Sequence, residues 1–152
     1  MWRKLLALSP RDRRLLLEAT WRLLAAQAAL WLRPRATRAA VVAGVPRRAP
    51  EPGSADHMAW AVRAVARRLP APWRGCLPQA VAVRAMLARR GLPARLVIGV
   101  RRTATAGPLE AHAWVESDGR VVVGWLADLP SFLPLSAPAG GTAPLAGPVS
   151  DR

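Results

Sequence analysis

The chain predicts an α+β fold in which helices precede a small antiparallel sheet. Two observations carry this. Apolar residues recur at three- and four-residue spacing up to Arg90, the period of a helix face, and at alternate positions from Arg95 onward, the period of a strand. Between the last two alternating stretches stands Asp118-Gly119, which suits a two-residue hairpin turn with positive φ at both positions. A length of 152 residues with 52% apolar content is enough for one core.

The first helix starts at Pro10, whose missing N–H costs nothing in a first turn, behind Ser9 as N-cap. Arg14, Glu18 and Arg22 fall four apart as one polar stripe; leucines, alanines, Trp21 and Trp31 fill the rest, so burial of most of its circumference is expected. Arg33-Pro34 ends it. Leu15 to Leu32 is apolar enough to raise a membrane span, but Glu18 and Arg22 inside it favour a buried or surface-docking helix. The start "MWRKLLALSPRDRR" has too short an apolar run for a signal peptide.

Residues 1–43 thus form an N-terminal helical segment, and 44–55, with Pro46, Pro50 and Pro52, a linker. Asp56 is expected to cap a second helix in which Met58, Val62, Val65 and Leu69 share a face, with Arg63 and Arg67 on its exposed side. A third helix is expected from Cys76 to Arg90, with Pro78 tolerated in its first turn and Gly91 as its stop. Cys76, Ala80, Val83 and Leu87 lie on its core face. "ARLVIGVRR", "LEAHAWVES" and "RVVVGWL" are the strands, the last two joined by Asp118-Gly119. The core spans 56–135; the Pro-, Gly- and Ala-rich 136–152 reads as a disordered tail.

The net charge of +14 is almost wholly arginine and favours acidic partners. Arginines are spread through every segment and no basic-aromatic signature accompanies them, so nucleic acid is not expected. A basic amphipathic surface for membranes is the less favoured alternative. One cysteine rules out an intrachain disulfide and a cysteine-based zinc site; a reducing, cytoplasmic setting with no metal or cofactor is the expectation.

Free cysteine is most often a small buried hydrophobe, so Cys76 alone says little. A thiol in the first turn of a helix, however, meets unpaired amide groups that favour the thiolate. A nucleophilic thiol needs a base, and the chain has two histidines. His57, beside Asp56, reads as exposed or capping. His112 lies mid-strand between two alanines in "EAHAWVE" and shares a sheet face with Trp114.

The ordered set of a cysteine at a helix start, a Gly-terminated helix, a strand, and a histidine on the next strand resembles the papain-like transglutaminase and cysteine-protease superfamily. More narrowly, "CLPQAVAVRAMLARRGLPARLVIGV" followed by "HAWVESDGRVVV" is similar to the B2 leader peptidases of lasso-peptide biosynthesis, over roughly residues 5 to 128. The resemblance implies a papain-like or transglutaminase-like core with the nucleophile helix packed on the sheet, and a cleft between the third helix and the hairpin. Cys76 is then the nucleophile and His112 the base. The implied substrate is a ribosomal precursor peptide cut between leader and core. The implied partners are a small B1-type leader-binding protein and the cyclase that closes the ring.

Those proteins carry an acid where this chain has Gly124. With Ser117 paired to Arg120, position 125 falls opposite His112. Asp118, at the turn tip, is roughly 20 Å from His112 at strand rise and a poor orienter. Asp128, about 10 Å beyond the paired position, becomes the candidate if the chain bends back after Trp125. A backbone carbonyl, a water, Glu110 or Glu116 is the alternative. The Cys76 N–H is expected as one oxyanion donor, with Trp73 or Gln79 open for the second. The other functional reading is a transglutaminase-fold peptide-binding module that is non-catalytic or acts differently.

Overall fold

The structure, a computed structural model, describes residues 8–32, 54–103 and 107–135. The tail expected over 136–152 lies outside the described residues, as does the expected linker except for Ser54 and Ala55.

Helix α1 (Pro10–Leu32) starts as its sequence dictates. The Ser9 hydroxyl accepts the Asp12 N–H at 3.1 Å and donates to the Asp12 carboxylate at 2.7 Å. Asp12 also holds His57 at 2.8 Å, which gives that histidine the task of tying α1 to the next helix. Ser9 and then His57 hold the Asp12 carboxyl below its usual range.

The expected burial of most of α1 is not what the structure has. Only Ala19, Leu23, Ala26 and Gln27 are buried, while Leu17, Trp21, Trp31 and Leu32 are exposed. The reason is tertiary: α1 has partners along one edge, and among the described residues no layer covers the other. By length and composition α1 could cross a membrane, yet its Ala19-Leu23-Ala26 edge belongs to the main core. Glu18 anchors that edge, accepting from Arg90 at 2.6 and 3.2 Å.

Helix α2 (Ser54–Ala66) begins before Asp56, so Ser54 and Ala55 belong to the helix and Asp56 to its first turn. Met58 and Val62 are buried as their spacing requires. Arg63, expected on the solvent side, reaches across to donate to the Val122 carbonyl at 2.9 Å. A short 3₁₀ turn (Ala71–Arg74) leads into α3 (Cys76–Arg89). Gly91 stops α3 with φ 67°; its N–H and that of Leu92 return to Ala88 and Leu87, each at 3.0 Å, closing the last turn.

Strands β1 (Arg95–Arg102), β2 (Leu109–Ser117), β3 (Arg120–Val123) and β4 (Leu133–Pro134) form an antiparallel sheet in the order β3-β2-β1-β4. Asp118 and Gly119 have φ of 49° and 75°, as the two-residue turn demands. Strand β3 is shorter than its sequence suggested, and β4, in a stretch of prolines, carried no strand signal.

The sheet separates two apolar layers. Leu96, Ala113, Val115, Val122 and Val123 face the helices; Val97, Trp114, Val121, Leu129 and Phe132 make a second, smaller cluster on the far side. Gly99 sits beneath that cluster because a Cβ there would meet the Trp114 ring at 2.9 Å and Phe132 Cβ at 3.0 Å. Ser117 pairs with Arg120 as expected, but Glu116 pairs with Val121 and Val115 with Val123. Val122 is the extra residue of a β-bulge, and it displaces everything beyond it by one position.

Candidate active site

Cys76 is the first residue of α3, behind Gly75, and is half-buried against the helix-side core. Among the described residues no hydrogen bond engages its thiol. The helical ladder starts with Gln79 N–H on the Gly75 carbonyl, and Pro78 has no N–H, so the N–H groups of Cys76 and Leu77 are the first-turn donors left open. Of the two side chains considered as second donor, Gln79 is tied to the Arg74 carbonyl at 2.7 Å, and the Trp73 ring packs 6.1 Å from that of Trp31.

His112 stands opposite Gly99 on β2. Its ring stacks 6.3 Å from Trp114 and lies 5.6 Å from Phe132, on the far-side face. Nε2 is 2.7 Å from the Gly124 carbonyl oxygen. A carbonyl only accepts, so Nε2 carries the hydrogen and the neutral ring presents its lone pair at Nδ1. Among the described residues Nδ1 has no partner. This is the tautomer of a general base held by one edge and open at the other.

Gly124 achieves this through its backbone. Its φ is 82°, and a Cβ there would lie 2.5 Å from the Ala113 carbonyl oxygen and 2.8 Å from Trp114 Cα. Only glycine fits. At the position where the resemblance leads one to expect an acid, a peptide carbonyl accepts the imidazole hydrogen that a carboxylate would accept. The bulge at Val122 and the end of β3 at Val123 bring it there.

Asp128 does return to the neighbourhood, through a turn and a 3₁₀ segment (Leu129–Ser131), but its carboxylate is ion-paired with Arg101. Arg101 also holds Glu110 at 2.8 Å and the Ser131 hydroxyl at 3.1 Å, and lies 4.4 Å over the Phe132 ring. Arg101 above all, and His112 more weakly, keep the Asp128 carboxyl below its usual range. The expected orienter is therefore a nearby charge, and the hydrogen bond to the ring belongs to Gly124. Glu110 is taken by Arg101; Glu116 by Arg95 at 3.3 Å and the Trp114 indole at 2.9 Å. Replacing Asp128 by asparagine should then change the rate at which iodoacetamide labels Cys76 by less than about fivefold, the scale of an exposed ion pair. A loss of a hundredfold would return the orienting role to Asp128.

The His112 ring packs beside Trp114 and Phe132, whereas Cys76 packs against the larger core cluster. Ala113 and Val115 on β2 belong to the core cluster shared with the helices, against which Cys76 also packs. His112, one residue before Ala113, faces the other way. No hydrogen bond joins thiol and imidazole among the described residues. No group of three or more His, Cys, Asp or Glu is placed to hold a metal ion among the described residues.

Sequence reasoning left a backbone carbonyl, without saying which, among several alternatives and passed over Arg101. A glycine closing a run of valines was the one signal for the first; the second had none.

A family model described as transglutaminase-like superfamily matches residues 20–137, from within α1 to just past β4. No curated protein and no solved structure matches the chain.

Proposed function

Since the chain belongs to the transglutaminase-like superfamily, we propose that it is a cysteine peptidase that removes the leader from a lasso-peptide precursor before a separate enzyme closes the ring. The observation that carries the chemistry is His112 fixed as its Nε2–H tautomer with Nδ1 open, in a chain whose one cysteine begins a helix with unpaired first-turn N–H groups. In this proposal the Cys76 thiol gives its proton to Nδ1 and its sulfur attacks the scissile carbonyl. The oxyanion is met by the N–H groups of Cys76 and Leu77. His112 then protonates the leaving amine, and the thioester left on sulfur is hydrolysed by water that the same ring deprotonates. Asp128 supplies negative charge near the imidazolium.

What supports the substrate is the likeness of "CLPQAV", "RRGLPARLVIGV" and "AHAWVESDGR" to leader peptidases of that pathway. A B1-type leader-binding protein and the cyclase are the corresponding partners, and the cytoplasm, where precursor peptides are translated, the corresponding setting.

A second reading, a peptide-binding module without turnover, is favoured by the lack of any hydrogen bond between Cys76 and His112 among the described residues. One experiment separates the two. Purified protein is incubated with the precursor encoded beside its gene, with and without the small leader-binding protein, and the products are weighed. A leader–core cut that disappears in Cys76→Ala supports the peptidase. Precursor that is bound but left whole, or cut equally by Cys76→Ala, supports the module and ends the peptidase proposal.

A further inference from the structure

Between the end of α2 and the first turn of α3 the surface opens into a cavity of about 470 Å³, lined by Arg63, Ala66, Arg67, Arg74 and Gln79. Three of these five side chains are guanidinium groups, and part of their hydrogen-bonding capacity is already fixed by the fold. Arg63 donates one Nη to the Val122 carbonyl at 2.9 Å, and Arg74 donates Nε to the Leu69 carbonyl at 2.8 Å. Among the described residues none of the three arginines forms an ion pair with a carboxylate. The Arg67 guanidinium makes no hydrogen bond or ion pair among them, its backbone N–H alone being bonded, to the Arg63 carbonyl at 3.1 Å.

This is an unfavourable arrangement when empty. Burial, and after it the neighbouring Arg67, hold the Arg63 guanidinium below its ordinary pKa; the one opposing charge is Asp56, which is itself bonded to Arg120 at 3.2 Å. An anion seated among the three would remove the repulsion and take up the free N–H forks, whose planar geometry matches a carboxylate.

The cavity also borders the segment that carries Cys76. Arg74 and Gln79 lie on either side of Cys76, and the Gln79 amide clamps the Arg74 carbonyl at 2.7 Å, so the segment carrying the cysteine forms one wall. We propose that this cavity is a subsite for an aspartate or glutamate side chain of the peptide whose bond Cys76 attacks. The site itself stands on the arginines; the assignment of its ligand to a peptide rests on the peptidase reading. It gives part of the +14 charge a place and a purpose.

The test uses the full chain and two labelled pentapeptides that differ only in a central glutamate or glutamine, compared by fluorescence anisotropy at physiological salt. The glutamate peptide should bind about tenfold more tightly, the scale of one charge-assisted contact. Arg67→Gln, which breaks no bond within the fold, should cut that preference severalfold, and Arg67→Ala with Arg74→Ala should abolish it. Arg11→Ala with Arg102→Ala, an equal loss of charge elsewhere, should leave it intact. Equal binding of the two peptides, or a preference lost as fully in the distant pair as in the cavity pair, overturns the subsite. Cysteine-independent cutting of the precursor with the glutamate preference intact would dismiss the peptidase and leave the subsite standing.

Discussion

His112→Ala is expected to slow cutting of the precursor by about 10²- to 10⁴-fold, the usual contribution of a positioned general base. The same variant should label markedly more slowly with iodoacetamide at neutral pH, because the thiol then has no acceptor for its proton. Both effects follow from one hydrogen bond. The Gly124 carbonyl can only accept, so it obliges Nε2 to keep its hydrogen and leaves Nδ1 as the basic nitrogen. His112→Gln, whose amide can still donate to Gly124 but cannot carry a proton from the thiol, should be as slow as the alanine variant while keeping parental thermal stability. Labelling that is unchanged in both variants would mean that the two groups do not meet, and would leave the binding module as the reading of the site.

Gly124→Ala should be among the most damaging single-methyl additions in the molecule. A positive φ costs a non-glycine residue about 1–2 kcal/mol. Here the added Cβ must also displace backbone, lying 2.5 Å from the Ala113 carbonyl oxygen and 2.8 Å from Trp114 Cα, neither of which can swing aside as a side chain could. Together these should cost ~3 kcal/mol or more and lower Tm by about 10 °C. Gly119→Ala is the control: its φ is 75°, but nothing lies within 4 Å of its Cβ, so it suffers only the dihedral strain. Nitrogen-15 NMR of the imidazole adds a readout that a merely structural role would not move. Parent and Gly119→Ala should show neutral His112 as the Nε2–H tautomer, and Gly124→Ala should lose that preference. A Gly124→Ala protein as stable as the Gly119→Ala control, with the tautomer unchanged, would show that the strand end can shift and that the carbonyl does not fix the ring.

Much of the architecture could be read along the chain because it is decided by near neighbours. Ser9 before Pro10, Gly91 after the alanine-rich stretch, and Asp118-Gly119 each act within a few residues, and each sits in the structure where its chemistry requires. Alternation from Arg95 to Ser117 gave two of the strands within a residue, since pleat direction is local. Pairing, by contrast, is not local. The bulge at Val122 could not be read from a run of three valines that are equally content on either face. Likewise β4 draws its identity from the open edge of β1, and its own sequence, Leu133-Pro134, argues against a strand.

The site divides along the same line. Cys76 at a helix start and His112 on a strand were legible from residue type and order. Which carbonyl holds the ring and which guanidinium takes Asp128 were settled by contacts between residues far apart in sequence. The exposed side of α1 belongs to this second class: an apolar periodicity states that a helix has a face to bury, and only the number of neighbours available determines how much of it is covered. Sequence by itself determined the fold class, the turns and the placing of Cys76 on a helix start and His112 on a strand, because dihedral preference and period act over a few bonds. Tertiary structure decided the register, the partner of every charge around the imidazole and the arginine-lined cavity, because those depend on energies that exist only once distant segments are brought together.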